Sequence, residues 1–191
     1  MLNRKLRLKS HSSFSGRKLS GVSLIEVLVS IVIASIGLLA LAGVNASSVR
    51  YTKMSQYRGT ATQLATDIGE RMRANKAGAA NYALVTDFAG QAALPGAAAV
   101  LCNSYGVTCT AAQLAAWDLQ TWQVVVRDQL PEGSAYIVYQ NVQSAADVWL
   151  VWRDPAVASA DDAPTTASEC PGALSVAADP SVRCSYFRIN L

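Results

Sequence analysis

Lys18-Leu19-Ser20-Gly21-Val22-Ser23-Leu24-Ile25-Glu26-Val27-Leu28 opens a run that stays apolar to Gly43-Val44, and this run decides the fold of the 191-residue chain. Between Val22 and Val44 the only ionisable side chain is Glu26. At ~1.5 Å per residue the run makes a helix of roughly 34 Å, enough to cross a hydrocarbon core about 30 Å thick. A carboxylate inside such a span costs on the order of 3 kcal/mol, so it calls for a partner. Cutting the chain after Gly21 would supply one, because Val22 would gain a free α-amino group four residues from Glu26.

Gly21 followed by Val-Ser-Leu-Ile-Glu, after a basic leader and before a long apolar run, resembles the prepilin signal of type IV pilins and of type II secretion pseudopilins. The resemblance implies cleavage after Gly21 by a prepilin peptidase and N-methylation of Val22. It also implies that Glu26 pairs with an α-amino group in an assembled filament. The first mature residue of the family is usually Phe, and here it is Val22. Two other readings fit parts of the stretch: a plain signal anchor, and a secretory signal cut at Ala40-Leu41-Ala42. Glu26 near the start of the apolar run speaks against the secretory signal, and the whole Gly-x-Ser-Leu-Ile-Glu string against the plain anchor.

Charge separates the leader from the rest. Residues 1–21 hold six Lys/Arg and no acid, so removing them takes the net charge from +3 to −3. The positive balance therefore gives no support for nucleic-acid binding by the mature chain. It sets orientation instead, holding the leader in the cytoplasm and sending the C-terminal part out. His11, the only histidine, lies in the leader. The mature chain thus has no His general base, Ser-His or Cys-His pair or His ligand, and no enzyme is expected.

Beyond the membrane run, Met54, Tyr57, Ala61, Leu64, Ala65, Ile68 and Met72 recur at helical spacing and make one apolar stripe. No proline interrupts Val22 to Lys76, which predicts one helix of about 55 residues. Gly37 and Gly43 are its weak points. Ile68-Gly69-Glu70-Arg71-Met72-Arg73-Ala74-Asn75 reads as a mixed-charge helix end, with Asn75 and Gly78 as stop signals. A solvated helix terminus would account for it. Its Glu-Arg-Met-Arg-Ala-Asn segment also resembles the minor-pilin family of type IV pilus modification protein PilV, at the same place on the long helix.

Residues 77–110 read as an Ala- and Gly-rich connection. Thr110-Ala111-Ala112-Gln113 has capping-box form and predicts a short helix from Ala111 to Asp118, with Leu114 and Trp117 inward. From Thr121 the period changes to two, with Trp122, Val124 and Val126 alternating. That predicts a strand, followed by strands over 136–140 and 148–153 and a last one over 186–189, in an antiparallel meander. The stalk at 45–76 carries +4 and the head at 77–191 carries −6.

All four cysteines follow the membrane run, which places them in an oxidising compartment. Three pairings are possible. Cys102–Cys109 and Cys170–Cys184 are preferred because each closes a loop lacking regular structure, and the second would constrain a loop worth about 3 kcal/mol in chain-entropy terms. A disulfide-bounded C-terminal loop also resembles pilins generally. No Cys-x₂-Cys spacing suits zinc, and Asp154, Asp161, Asp162 and Glu169 fit no calcium template. No metal or cofactor is expected.

The expected fold is α+β and pilin-like. The parts are a leader (1–21), the transmembrane half of the helix (22–44), its amphipathic half (45–76) and a periplasmic head (77–191). The resemblance implies a minor type IV pilin of the PilV kind in the inner membrane, joining or priming a pilus. Its partners would be prepilin peptidase, other minor pilins, the major pilin and a tip adhesin. A minor pseudopilin of type II secretion is the nearest alternative, and a secreted periplasmic binding domain the next.

Overall fold

The computed structural model describes residues 21–155, 157, 169–176 and 179–191. The basic leader residues 1–20, including His11, and the acidic Asp161 and Asp162 lie outside the described residues. The chain forms two compact units, one ending at Ala46 and one running from Ser47 to Leu191.

The described part of the first unit is the start of helix α1 (Leu24–Ala74). The carbonyl of Ser23 accepts from the backbone N–H groups of Glu26 and Val27 at 3.0 and 3.3 Å and so begins the helix. Every residue from Gly21 to Tyr51 is exposed. Leu, Ile and Val on all sides, with nothing packed on them, are the pattern of a helix made for an apolar solvent.

In the second unit the apolar stripe becomes a core. Ala61, Leu64, Ala65, Ile68 and Met72 of α1 are buried, while Tyr57 is half-buried. They meet Trp122 and Val126 of helix α2 (Ala111–Gln129) and the inner face of a three-stranded sheet. The strands are β1 (Ser134–Gln140), β2 (Ala145–Arg153) and β3 (Val182–Asn190), antiparallel in the order β1-β2-β3. Ile137, Ala146, Val148, Leu150, Trp152 and Ile189 carry the sheet's share of the core.

Helix α2 differs from the sequence reading. It starts where the capping box predicts: Thr110 Oγ1 accepts from the Gln113 backbone and Gln113 Oε1 accepts from the Thr110 N–H. It does not stop at Asp118, however, and there is no strand over 121–127. The buried positions Ala115, Asp118, Trp122 and Val126 are spaced by three and four, which is the helical period. The alternation of Trp122, Val124 and Val126 is coincidental, and Val124 faces solvent. No Gly or Pro stands between the cap and Pro131 to end the helix earlier. Leu114 and Trp117, expected inward, are only half-buried.

The turn Pro131-Glu132-Gly133 then reverses the chain. A Cβ at Gly133 would collide with the Val126 carbonyl, so only glycine lets the turn fold back on α2. The connection over 77–110 is less irregular than composition suggests. It contains a 3₁₀ segment, Lys76–Tyr82, which buries Ala79 and Tyr82. Leu84 then bridges to Ile137 of β1.

A candidate assembly site and the joint that carries it

Two groups of residues stand out, one at each end of α1. At the N-terminal end, Gly21 and Val22 are exposed just before the helix, and Glu26 sits in its first turn. Ser30 Oγ donates to the Glu26 carbonyl at 2.6 Å, as helix-embedded serines do. The next charged side chain after Glu26 is Arg50, about seven turns on. The Glu26 carboxylate therefore has no basic side chain within its own apolar helix. The helix is long and apolar enough to cross a membrane.

At the C-terminal end, the Glu70–Asn75 string is only partly solvated: Glu70, Arg73 and Ala74 are exposed. Met72 is fully buried and Asn75 nearly so. Arg71 donates to Asp67 at 3.1 Å and reaches across to Asp118 of α2 at 3.3 Å and Thr121 at 3.2 Å. The other Asp118 oxygen accepts from the Tyr82 hydroxyl at 2.6 Å. Burial, and then this bond to a carboxylate, push the Tyr82 phenol above its ordinary range. The Asn75 amide donates to the Ala111 carbonyl at 2.7 Å, over Gly78. A Cβ at Gly78 would lie 2.5 Å from that same carbonyl, so glycine is required for the close approach. Trp122 completes the joint by donating its indole N–H to the Leu64 carbonyl at 3.0 Å. The joint welds the end of α1 to the start of α2 through partners buried together. Tyr82 and Asp118 were not singled out by sequence reasoning. The available signal was Asp118 itself, an acid at a core-facing helical position with Arg71 on the facing helix.

The structure pairs Cys102 with Cys109 and Cys170 with Cys184, with S–S distances of 2.02 and 2.04 Å. Glu169, beside Cys170, accepts from both Arg183 at 3.1 Å and Arg58 of α1 at 3.0 Å, so it is already engaged by cations. Among the described residues no group of three or more acids, cysteines or histidines is placed to hold a metal.

A second surface network gives a pH prediction. Arg153 bridges Glu132 at 3.0 Å and Asp179 at 2.6 Å. Hydrogen bonds from Ser181, and then the bond from Arg153, hold the Asp179 carboxyl below its ordinary value. A carboxyl with a lower pKa folded than unfolded stabilises the fold above its unfolded value, about 4, and loses that contribution as pH falls through the folded one. Asp179→Asn should therefore lower Tm at pH 7 and flatten part of its fall below about pH 4. Thermal melts of the two proteins from pH 7 to pH 2 check this; parallel curves would mean that Asp179 is not a source of the acid sensitivity.

Residues 16–42 match the prokaryotic N-terminal methylation motif. Joined to a long apolar helix, a small antiparallel sheet and two disulfides, this motif defines a subunit of the prepilin class. Residues 44–120 match the type IV pilin family described as type IV pilin Tt1218. The two matches, with the fold, support a type IV pilin, a structural class of protein. No curated protein and no solved structure matches it.

Proposed function

We propose that this type IV pilin is a minor pilin of the PilV kind, anchored in the inner membrane with its head in the periplasm and incorporated into a pilus during assembly or priming. Its mechanism is assembly, without turnover. The observation that carries the reading is Glu26, the one ionisable group in a helix otherwise bare and apolar from Val22 to Val49. Prepilin peptidase removes residues 1–21, and the methylated amino group of Val22 meets the carboxylate of Glu26 on the same or an adjacent subunit. The PilV assignment draws on the Glu70–Asn75 string, whose Arg71 and Asn75 fasten helix to head. Other minor pilins, the major pilin and a tip adhesin are its partners.

Mass spectrometry of membrane-extracted protein should find a first residue of Val22, carrying a methyl group. A chain starting at Gly43 would instead mean an ordinary secretory signal and a soluble binding domain. Comparing a deletion strain for surface pili and for type II secretion separates the pilus from the pseudopilus: loss of secretion with normal pili would select the second.

A further inference from the structure

The β1 edge of the sheet is closed by two residues of the preceding connection. Leu84 exchanges backbone hydrogen bonds with Ile137 at 3.0 and 2.8 Å. The Gln91 amide mimics a peptide group, accepting from the Ala135 N–H at 3.2 Å and donating to the Ala135 carbonyl at 2.8 Å. Beside these contacts, a hollow of about 190 Å³ opens against α2. Leu84, Leu94, Pro95 and Val126 give it apolar walls, and Gln123 and Arg127 of α2 give it a polar one.

Arg127 is the one charged side chain lining the hollow among the described residues, and it is half-buried. Its Nη1 donates to the Gln91 carbonyl at 2.9 Å and to the Gly133 carbonyl at 3.5 Å, while Nη2 donates to the Ala92 carbonyl. These bonds hold the guanidinium in place, but all three acceptors are neutral. Arg58, Arg71, Arg73, Arg153, Arg183 and Arg188 each meet a carboxylate. Arg127 meets none among the described residues. A guanidinium has five N–H donors, so the Nε–H and one hydrogen of Nη2 are left over. The Gln123 amide likewise makes no hydrogen bond among the described residues.

The surroundings do not neutralise this charge. Residues 88–117, which supply much of the wall, contain no charged side chain. Asp87 is held on the Gly90 N–H at 2.8 Å. A half-buried cation among apolar walls favours an anion, and the planar fork of a guanidinium matches a carboxylate. One cation balances one negative charge, which selects a monocarboxylate over a phosphate. A cavity of about 150 Å³ holds a benzene ring, so this one takes a body of about that size. A peptide strand is a poorer occupant, because Leu84 and Gln91 already use the main-chain groups of Ile137 and Ala135.

We propose that this hollow binds a small monocarboxylic acid with an apolar body of about one ring. The carboxylate accepts from the unused Arg127 donors and the Gln123 amide, and the body lies on Leu84, Leu94, Pro95 and Val126. The site adds a ligand to the assembly role and does not depend on that reading.

The test titrates benzoate into the full chain in nonionic detergent and follows the backbone N–H NMR signals of Gln91, Leu94 and Gln123. All three should shift together and saturate, with a Kd on the order of 1 mM. Benzamide has the same shape without the charge and should bind about tenfold more weakly. Arg127→Lys keeps the charge but loses the fork, and should weaken benzoate binding by about tenfold. Because Arg127 also holds the 89–92 turn, Gln123→Glu makes the comparison with Arg127 in place. It sets a carboxylate four residues before Arg127, the favourable helical spacing, and this built-in partner should lower benzoate affinity by at least about tenfold. N-acetylglutamate methylamide, an acidic side chain in peptide form, should bind more weakly than benzoate. Equal or tighter binding of that compound would assign the site to a partner protein's acidic side chain and overturn the proposal. So would the absence of saturable shifts at millimolar benzoate, equal affinity for benzamide, or undiminished binding in Gln123→Glu.

Discussion

Glu26→Ala should leave cleavage and membrane insertion intact but lower the amount of this subunit in sheared pili by roughly tenfold relative to membranes. The lone subunit tolerates its carboxylate because Glu26 lies in the first turn of α1, four residues from Val22, where headgroups and water are in reach. In a filament core that contact is lost. The helix itself holds no cation between Val22 and Val49, so under the proposed reading the acid's partner is the amino terminus of this or an adjacent subunit. A pair left half-made among apolar helices costs several kcal/mol, enough to set axial register, and 1.4 kcal/mol already corresponds to about tenfold in occupancy. Glu26→Gln should be milder, because it keeps a hydrogen-bonding group without the charge. Immunoblots of sheared and membrane fractions supply the ratio. Equal incorporation of wild type and Glu26→Ala would show that the carboxylate is not needed for this subunit's assembly.

Asp118→Ala is expected to destabilise the head by about 3 kcal/mol, well beyond what a surface ion pair contributes. Its carboxylate accepts from Tyr82 on one oxygen and from Arg71 on the other, and it is itself buried. Removing it leaves the Tyr82 hydroxyl, fully enclosed, without its short bond and leaves Arg71 with Asp67 and Thr121 alone. Tyr82→Phe removes only the hydroxyl and should cost about 1 kcal/mol. In a double-mutant cycle the two losses should be far from additive, since the residues share one bond. Denaturant titrations of the unit from Ser47 to Leu191, which holds Asp67 and Arg71 as well as Tyr82 and Asp118, give both numbers. A cost for Asp118→Ala no larger than that of Asp67→Ala, whose carboxylate is more exposed, would mean that the joint does not depend on the buried pair.

The two ends of α1 differ in how much could be read without a structure. The membrane run needs no tertiary information: twenty-odd apolar residues interrupted only by Glu26 have one stable form in lipid, a helix with its backbone bonded to itself. The stripe from Ala61 to Met72 was equally legible, because a single helix fixes which side chains share a face. The capping box at Thr110 was legible for the same local reason. What followed it was not. Trp122 and Val126 satisfy both a period of two, with Val124, and a period near four, with Ala115 and Asp118. Only the core, with Trp122 bonded to Leu64, selects the helix. The joint at Arg71, Tyr82 and Asp118 depends on residues 11 to 47 positions apart, so no local pattern could announce it. The same holds for the sheet's edges. Chain order alone makes β1 and β3 equivalent outer strands. Leu84 and Gln91 pair with main-chain groups of β1 and have no counterpart on β3 among the described residues, a difference that exists only once the chain has folded.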